Sequence, residues 1–351
     1  MEEKNAGITS VIRQKALELG FTAVGFTKVR LPDEYIRKYE EWLNRNYHGS
    51  MDYLVRHLPL KKNPEQVLEN ALSVICVSLL YRTEDCLTDD PHHGYFSIYA
   101  RGRDYHKVVK KKLTQLIGEI HKIAGDCHER AFVDSGPVFE KYYAAEAGIG
   151  AIGRNSLVIS SGYGSFFFLG ELITSLPIDT DSVQNFDPCR GCARCLEHCP
   201  VNAILDNRQI NAGRCIAYLT IEHKGIIPYE LTVLMGNRVY GCDSCQKCCP
   251  WNRKIKITAE PDFSCRLTDD IVRLDNLIKF KPEDFSETFA GTPVHRIGYE
   301  SFIRNVVIAA GNSGDLKFIP VLQQMLAANP GEVISQHLIW SINNLTAGNC
   351  R

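Results

Sequence analysis

Residues 189–200 read CRGCARCLEHCP and residues 241–250 read GCDSCQKCCP. Four thiols within eleven positions, and then four within eight, constrain the fold more than any other feature of the chain. Cys189, Cys192, Cys195 and Cys199-Pro200 follow C-x2-C-x2-C-x3-C-P, a spacing in which one loop supplies three corners of an iron–sulfur cubane and the fourth thiolate reaches a second cluster. The second run reads in two registers. Aligned on Cys249-Pro250, it pairs Cys245 with Cys195 and Cys242 with Cys192, and Val239 stands where Cys189 stood. Cys215, alone in GRCIAYLT, can replace the missing ligand. That register gives one cluster held by Cys189, Cys192, Cys195 and Cys249, a second held by Cys199, Cys215, Cys242 and Cys245, and a spare Cys248. The rival register uses Cys242, Cys245 and Cys248 and strands Cys215 and Cys249. The first is preferred because it uses the proline and closes both clusters with four thiolates. Structural zinc is the competing occupant, since C-x2-C pairs also bind it, but zinc takes pairs and not triples followed by Cys-Pro. The isolated Cys76, Cys86, Cys127, Cys265 and Cys350 read as ordinary core or surface thiols.

The rest of the chain must house these clusters. At 351 residues, with 44% hydrophobic and 23% charged, it is long enough for two or three domains of an ordinary soluble protein. No apolar run approaches a membrane span, the longest being SVICVSLLY at 73–81, and MEEKNAGITS lacks the pattern of a signal peptide. A cytoplasmic, membrane-free protein is expected, where clustered cysteines serve metal or redox chemistry. The net charge of −1 argues against indiscriminate coating of nucleic acid but leaves room for a local basic patch.

Along the first half, helical and strand patterns interleave, which favours an α/β domain. ITSVIRQKALELG and KVVKKKLTQLIGEIHKIAG (107–125) read as helices; TAVGF (22–26), SVICVSLLY and RAFVDSGP (130–137) read as strands. LVIS (157–160) and SFFFLGELIT (165–174) read as a hairpin joined by Ser161–Gly164. The character changes after Pro177, where most of the cysteines begin. From Leu267 onward, YESFIRNVVIAAGN, LKFIPVLQQML and VISQHLIWSINNL are apolar at helical spacing, either a HEAT-type repeat or a small cap on the main body. The expected units are 1–180, 181–262 and 263–351.

Asp134 ends an apolar strand at Ser-Gly-Pro. Desolvation against Phe132 and Val133 would raise its pKa and suit it to general-acid work; an Asx-turn before Pro137 is the plainer reading. FVDSGPVFEK, AAEAGIGAIGRNSLVIS, GSFFFLGELIT, the two cysteine runs and YGCDSCQKCCPWN, with YARGRDYH (99–106) and MDYLVRH (51–57), resemble in order and spacing the epoxyqueuosine reductases. The resemblance covers roughly residues 5–255, and some members carry a HEAT-like extension.

The resemblance implies a cobalamin-dependent oxidoreductase with two 4Fe–4S clusters, related to reductive dehalogenases. It implies a cobalamin-binding reductase domain, a ferredoxin-like two-cluster domain and a helical HEAT-like domain over the three units above. The reaction implied is the last step of queuosine synthesis, reduction of the epoxide of epoxyqueuosine at the tRNA wobble position to the alkene. Asp134 would protonate the departing oxygen. His57, Ser97, Asp134, Val158, Leu169 and the loop of Cys242, Asp243, Ser244 and Cys245 would neighbour the corrin. The D-x-H-x-x-G motif for cobalamin is absent, DCHERA (126–131) having alanine for glycine. Asp104, Tyr105 and His106 would line the substrate pocket; their plainer role is a helix N-cap and first turn. Lys141 stands where the family carries arginine and offers a point charge in place of a fork. Arg214, His223 and Lys224, with Arg238, Arg296 and Arg304, are the candidate contacts to tRNA, whose recognition would rest on shape and one splayed base. An electron donor of flavodoxin or ferredoxin type and a monomeric state complete the expectation. The alternative is a cytosolic reductive dehalogenase-like enzyme acting on a small molecule.

Overall fold

Strand β2, Ser73–Leu80, is buried along its whole length, which places it at the centre of a sheet covered on both faces. The computed structural model describes residues 2–348 apart from 85, 89, 126 and 184, with side chains from residue 7; Cys350 and Asp126 of DCHERA lie outside the described residues. β2 pairs on one side with β1 (Ala23–Lys28) and on the other with β7 (Phe167–Thr174), which in turn pairs with β4 (Glu129–Phe132). The order is β1-β2-β7-β4. Helices interleave with these strands as the sequence suggests, yet every pairing in this sheet is antiparallel.

The two faces of β7 feed two cores, as a period of two requires. Phe168 and Leu172 pack with Ile12, Val109, Leu113 and Leu116 of helices Glu2–Glu18 and Tyr105–Ala124. Phe167 and Ile173 face Phe132, Phe139, Tyr143 and Ala144, around helix Glu140–Glu146. Glycine lets these helices approach. A Cβ on Gly25 would lie 1.9 Å from the Ala147 carbonyl oxygen, and one on Gly170 would lie 2.9 Å from Val109.

The expected hairpin of 157–160 with 165–174 does not form. β6 (Val158–Ile159) pairs with β5 (Ala151–Ile152), and only the Ser160–Gly164 bridge joins it to the turn before β7. The apolar residues of β7 are satisfied by β2 and β4 instead, a tertiary choice that local turn signals do not report. Nor are Cys86 and Cys265 isolated thiols: they form a disulfide across a sequence separation of 179, a connectivity no spacing rule reveals.

In the cysteine-rich segment, the one-turn helices Arg194–Glu197 and Ser244–Lys247 lie against each other. β3 (Tyr95–Phe96) and β8 (Arg238–Tyr240) form a parallel pair that brings the first half of the chain beside the second cysteine run. The C-terminal helices Tyr299–Asn312, Ile319–Ala327 and Glu332–Thr346 share a core with that pair, through Phe96, Val239 and Tyr240 against Phe302 and Val306. Among the described residues, no helix is long and apolar enough to cross a membrane.

Candidate active site

The thiols sort themselves into two groups. Cys195 and Cys249 both feel the charges of Cys189 and Cys192. Cys245 and Cys215 both feel those of Cys242 and Cys199. Cys189 and Cys249 are buried together against Ile159. Cys248 lies near the first group, with its thiol directed to the Cys245 carbonyl at 3.5 Å. Burial pushes Cys215 up to about 11 and Cys245 well above the thiol range, so each would ionise only beside added positive charge. Three sulfurs on a single zinc would sit ~3.8 Å apart. Among the described residues only His121, Cys127 and Glu129 bring three such ligand atoms within 4.8 Å of one another. No three thiols of either group come that close.

The GRNS segment fastens the first half of the chain to both groups. The Arg154 backbone N–H donates to Cys189 Sγ at 3.2 Å, and the buried Asn155 amide donates to the Cys245 carbonyl at 3.5 Å. Ala203 N–H donates to Cys199 Sγ at 3.3 Å. Hydrogen bonds to cluster sulfur of this kind tune reduction potential.

Asp134 follows β4 in the left-handed region, φ 63°. A non-glycine residue held there marks local strain at a site the surroundings over-determine. Its carboxyl accepts from Tyr105 Oη at 2.5 Å and from His106 Nε2 at 3.1 Å. His106 Nδ1 faces Asp104 Oδ1 at 2.7 Å, so both ring nitrogens point at carboxylates and the ring is built to carry two protons. Asp104 also caps the Tyr105–Ala124 helix through the His106 N–H, so the capping and pocket roles coincide. Arg296 reaches Asp104 Oδ2 at 3.5 Å.

This arrangement corrects the expected acidity of Asp134. Burial does push its carboxyl up, but the His106 and Tyr105 hydrogen bonds and the His106 and Arg296 charges outweigh burial and hold it below the usual range. Burial pushes His106 down, yet Asp104 and Asp134 raise it overall. Between the two, the transferable proton is therefore favoured on His106, one hydrogen bond behind Asp134.

Asp134 is 56% exposed, so its carboxyl is open to solvent and substrate. Lys141 is placed in the same way and feels Glu140, Asp134, Cys215 and Cys245. Lys141 thus lies within electrostatic reach of both Asp134 and the second thiol group. Tyr53 and Glu222 lie close enough to feel the charge of Asp134. His57 contributes a buried Nδ1 with no hydrogen-bond partner. Leu169 is half-buried and Val158 buried. Ser97 and Asp243 are both buried and bond to each other. The Asp243 carboxylate also accepts from Tyr95 Oη at 2.7 Å and Ile98 N–H at 2.9 Å, so it locks the second-run loop to residues 95–98. Ser244 Oγ receives Arg238 Nη2 at 2.9 Å.

The basic residues named from sequence fare unevenly. Arg304 is 0% exposed and donates to the carbonyls of Leu219, His223 and Gly225, so it is an internal brace and not an RNA contact. Arg214 donates to the Val201 carbonyl, His223 pairs with the Ile226 carbonyl, and Lys224 donates to those of Ile221 and Ile297. Lys224 and Arg296 keep exposed surface. Sequence reasoning missed Glu140 and Glu171, two carboxyls beside Asp134; the available signal was a glutamate inside the apolar run FFLGELIT.

Comparison with known proteins gives matches over most of the chain. Residues 61–135 match the family model "Epoxyqueuosine reductase QueG, DUF1730", and residues 188–252 match the "4Fe-4S double cluster binding domain". The epoxyqueuosine reductase of Pseudomonas aeruginosa is 40% identical over 343 residues, covering 96% of this chain and 94% of its own. That of Escherichia coli K12 is 39% identical over 336 residues, covering 94% and 88%. A crystal structure of epoxyqueuosine reductase with a tRNA-Tyr epoxyqueuosine-modified stem loop superposes with a TM-score of 0.89 at 28% identity, covering 97% of this chain and 90% of that one.

Proposed function

This chain belongs to the epoxyqueuosine reductase family, and from that premise we infer that it reduces the epoxide of epoxyqueuosine in tRNA to the alkene of queuosine. It is an oxidoreductase carrying a double 4Fe–4S cluster domain. We assign Cys189, Cys192, Cys195 and Cys249 to one cluster and Cys199, Cys215, Cys242 and Cys245 to the other, with Cys248 spare. Residues 1–180 form the reductase unit, 181–262 the ferredoxin-like unit and 263–351 a HEAT-like extension. The enzyme works as a cytoplasmic monomer supplied by a flavodoxin- or ferredoxin-type donor.

The observation that carries this reading is that Lys141 feels both Asp134 and the second-group thiols Cys215 and Cys245, so we place these groups around one recess. The residues there fit cobalamin: the buried Nδ1 of His57 has no hydrogen-bond partner, and His57, Val158, Leu169 and the Cys242–Cys245 loop would hold the group. When bound, cobalamin supplies low-valent cobalt as the immediate reductant of the epoxide carbon. The chain's own residues handle the proton. Epoxide oxygen leaves poorly as an alkoxide, so a donor is needed where the oxygen departs. Substrate entering the recess displaces water from Asp134, and desolvation then favours transfer of the His106 Nε2 proton to Asp134 Oδ2. Tyr105 Oη keeps that carboxyl aimed. A splayed base reaches the recess past Arg296 and Lys224.

The test is anaerobic. Protein purified with quantified iron, sulfide and cobalamin converts epoxyqueuosine-containing tRNA to queuosine when reduced. Asp134→Ala retains all three contents and loses turnover by ~100-fold or more; undiminished turnover overturns the assignment of Asp134.

A further inference from the structure

Glu171 occupies the middle of β7, between Cys76 of β2 and Phe132 of β4, and is 0% exposed. The neighbours on its strand face, Phe167 and Ile173, belong to an apolar core. No donor group among the described residues reaches either of its carboxyl oxygens, or Oε1 of Glu140. Two ionised carboxylates cannot persist in that state, because desolvating an unpaired charge costs several kcal/mol. The carboxyl of Glu140 lies within bonding reach of Glu171, and two carboxyls bond each other only if a proton lies between them. Glu140 is also tied to the turn above it, accepting the backbone N–H of Asp134. Burial pushes both glutamates up, the charge of Asp134 pushes the same way, and the charge and hydrogen bond of Glu140 push Glu171 further. The groups facing the pair are Lys61 from helix Tyr53–Lys62, Lys141, Cys76, and the phenols of Tyr53 and Tyr105. The two lysines draw Glu140 part of the way back.

The stoichiometry of the reaction gives this pair a use. Converting an epoxide to an alkene breaks two carbon–oxygen bonds, forms one carbon–carbon π bond and consumes two electrons and two protons, releasing water. The electrons come from the reductant through the clusters. Asp134 with His106 holds one transferable proton. A second is needed when the hydroxyl formed by the first protonation departs as water. We propose that Glu140 and Glu171 hold one proton between them and return it to Asp134, so that the site is loaded with both protons before reduction begins. This rests on the functional reading above. After each turnover the pair is recharged from solvent through the recess.

Two measurements on the holoenzyme decide it. Hydrogen/deuterium difference infrared spectra of the resting enzyme at neutral pH should show the C=O stretch of a protonated carboxyl. That band should vanish in Glu171→Gln and in Glu140→Gln and survive in Asp134→Asn. Turnover of Glu171→Gln should fall ~10–100-fold above neutrality, recover in mildly acid buffer, and leave KM for modified tRNA unchanged. The double variant should be no slower than either single one, because the pair acts as a unit. If Glu171→Gln fails to assemble its clusters, Glu140→Gln, at the recess wall, carries the kinetic arm. Absence of the band in wild type, or a Glu171→Gln rate lowered equally at every pH or not at all, overturns the proposal. A wild-type enzyme that shows the band but makes no queuosine refutes the functional reading and leaves the buried proton in place.

Discussion

At the scale of single residues, the site depends on where one proton rests. Asp134 looks from sequence like an aspartate made acidic-resistant by Phe132 and Val133, but the structure adds Tyr105 and His106 from 28 or more residues upstream, and these reverse the sign. Burial alone is a local inference; hydrogen bonds from a distant helix N-terminus are not. His106, flanked by Asp104 and Asp134, is raised above its ordinary value, so its protonated form persists as pH rises past about 6.5. Activity that draws on this proton is full below the raised value and is lost as pH climbs through it. In His106→Asn, Asp134 loses its strongest restraining hydrogen bond and a neighbouring positive charge, and its own carboxyl becomes the donor. The alkaline limb of the kcat/KM profile should then move to lower pH, with ~10–100-fold lower turnover above neutrality and little change in KM for tRNA. The stability contribution of the His106 pairings follows the same sign. It is complete below the unfolded histidine value and lost through the raised one, so melting curves of wild type and His106→Asn should converge at alkaline pH.

At the scale of elements, the cysteine loops were the most legible part of the chain and the strands beside them the least. Ligand spacing around a cubane is a local property: Cys189, Cys192 and Cys195 must sit on one tight loop whatever else the chain does. The preference for Cys249 as the partner of that loop also has a local basis, because Cys249-Pro250 repeats Cys199-Pro200. By contrast, β7 joins a sheet whose neighbours begin 94 and 38 residues earlier in the sequence, and nothing in SFFFLGELIT says that β2 and β4 will claim it instead of β6. GRNS was legible as a signature and illegible as a mechanism, since its bonds to Cys189 and Cys245 need the folded cluster loops. The cluster assignment yields its own prediction. Cys215→Ser should lose one cluster, seen as half the iron and sulfide and one fewer paramagnetic centre on reduction. Cys248→Ser, whose thiol is spent on the Cys245 carbonyl, should keep the full content. Equal losses in both would assign Cys248 as a ligand.

At the scale of the whole molecule, the C-terminal helices behave as part of the catalytic body. Eleven consecutive residues of helix Tyr299–Asn312, Ser301 to Gly311, are buried, and Phe302 and Val306 share a core with β3 and β8. Arg304 is the brace. Its guanidinium binds the carbonyls of Leu219, His223 and Gly225 and the Asn305 side chain, and Asn305 in turn donates to the carbonyls of Thr220 and Val239. Burial lowers Arg304 to about 10, which still leaves it charged at neutral pH. These bonds fix residues 219–225, the segment that follows Cys215 and carries Glu222, which feels the charge of Asp134. Arg304→Met fills the space but leaves the buried Leu219 carbonyl and the part-buried carbonyls of His223 and Gly225 short of a donor, at a cost of ~3–5 kcal/mol. Hydrogen exchange is the discriminating measurement. If the tail is integral, protection should fall together in 216–227, in β8 and in 299–312, and affinity for modified tRNA should weaken while iron content holds. Protection lost from 299–312 alone would mean that the tail opens by itself, as an appended module would, and that the recess owes its shape to the first two units.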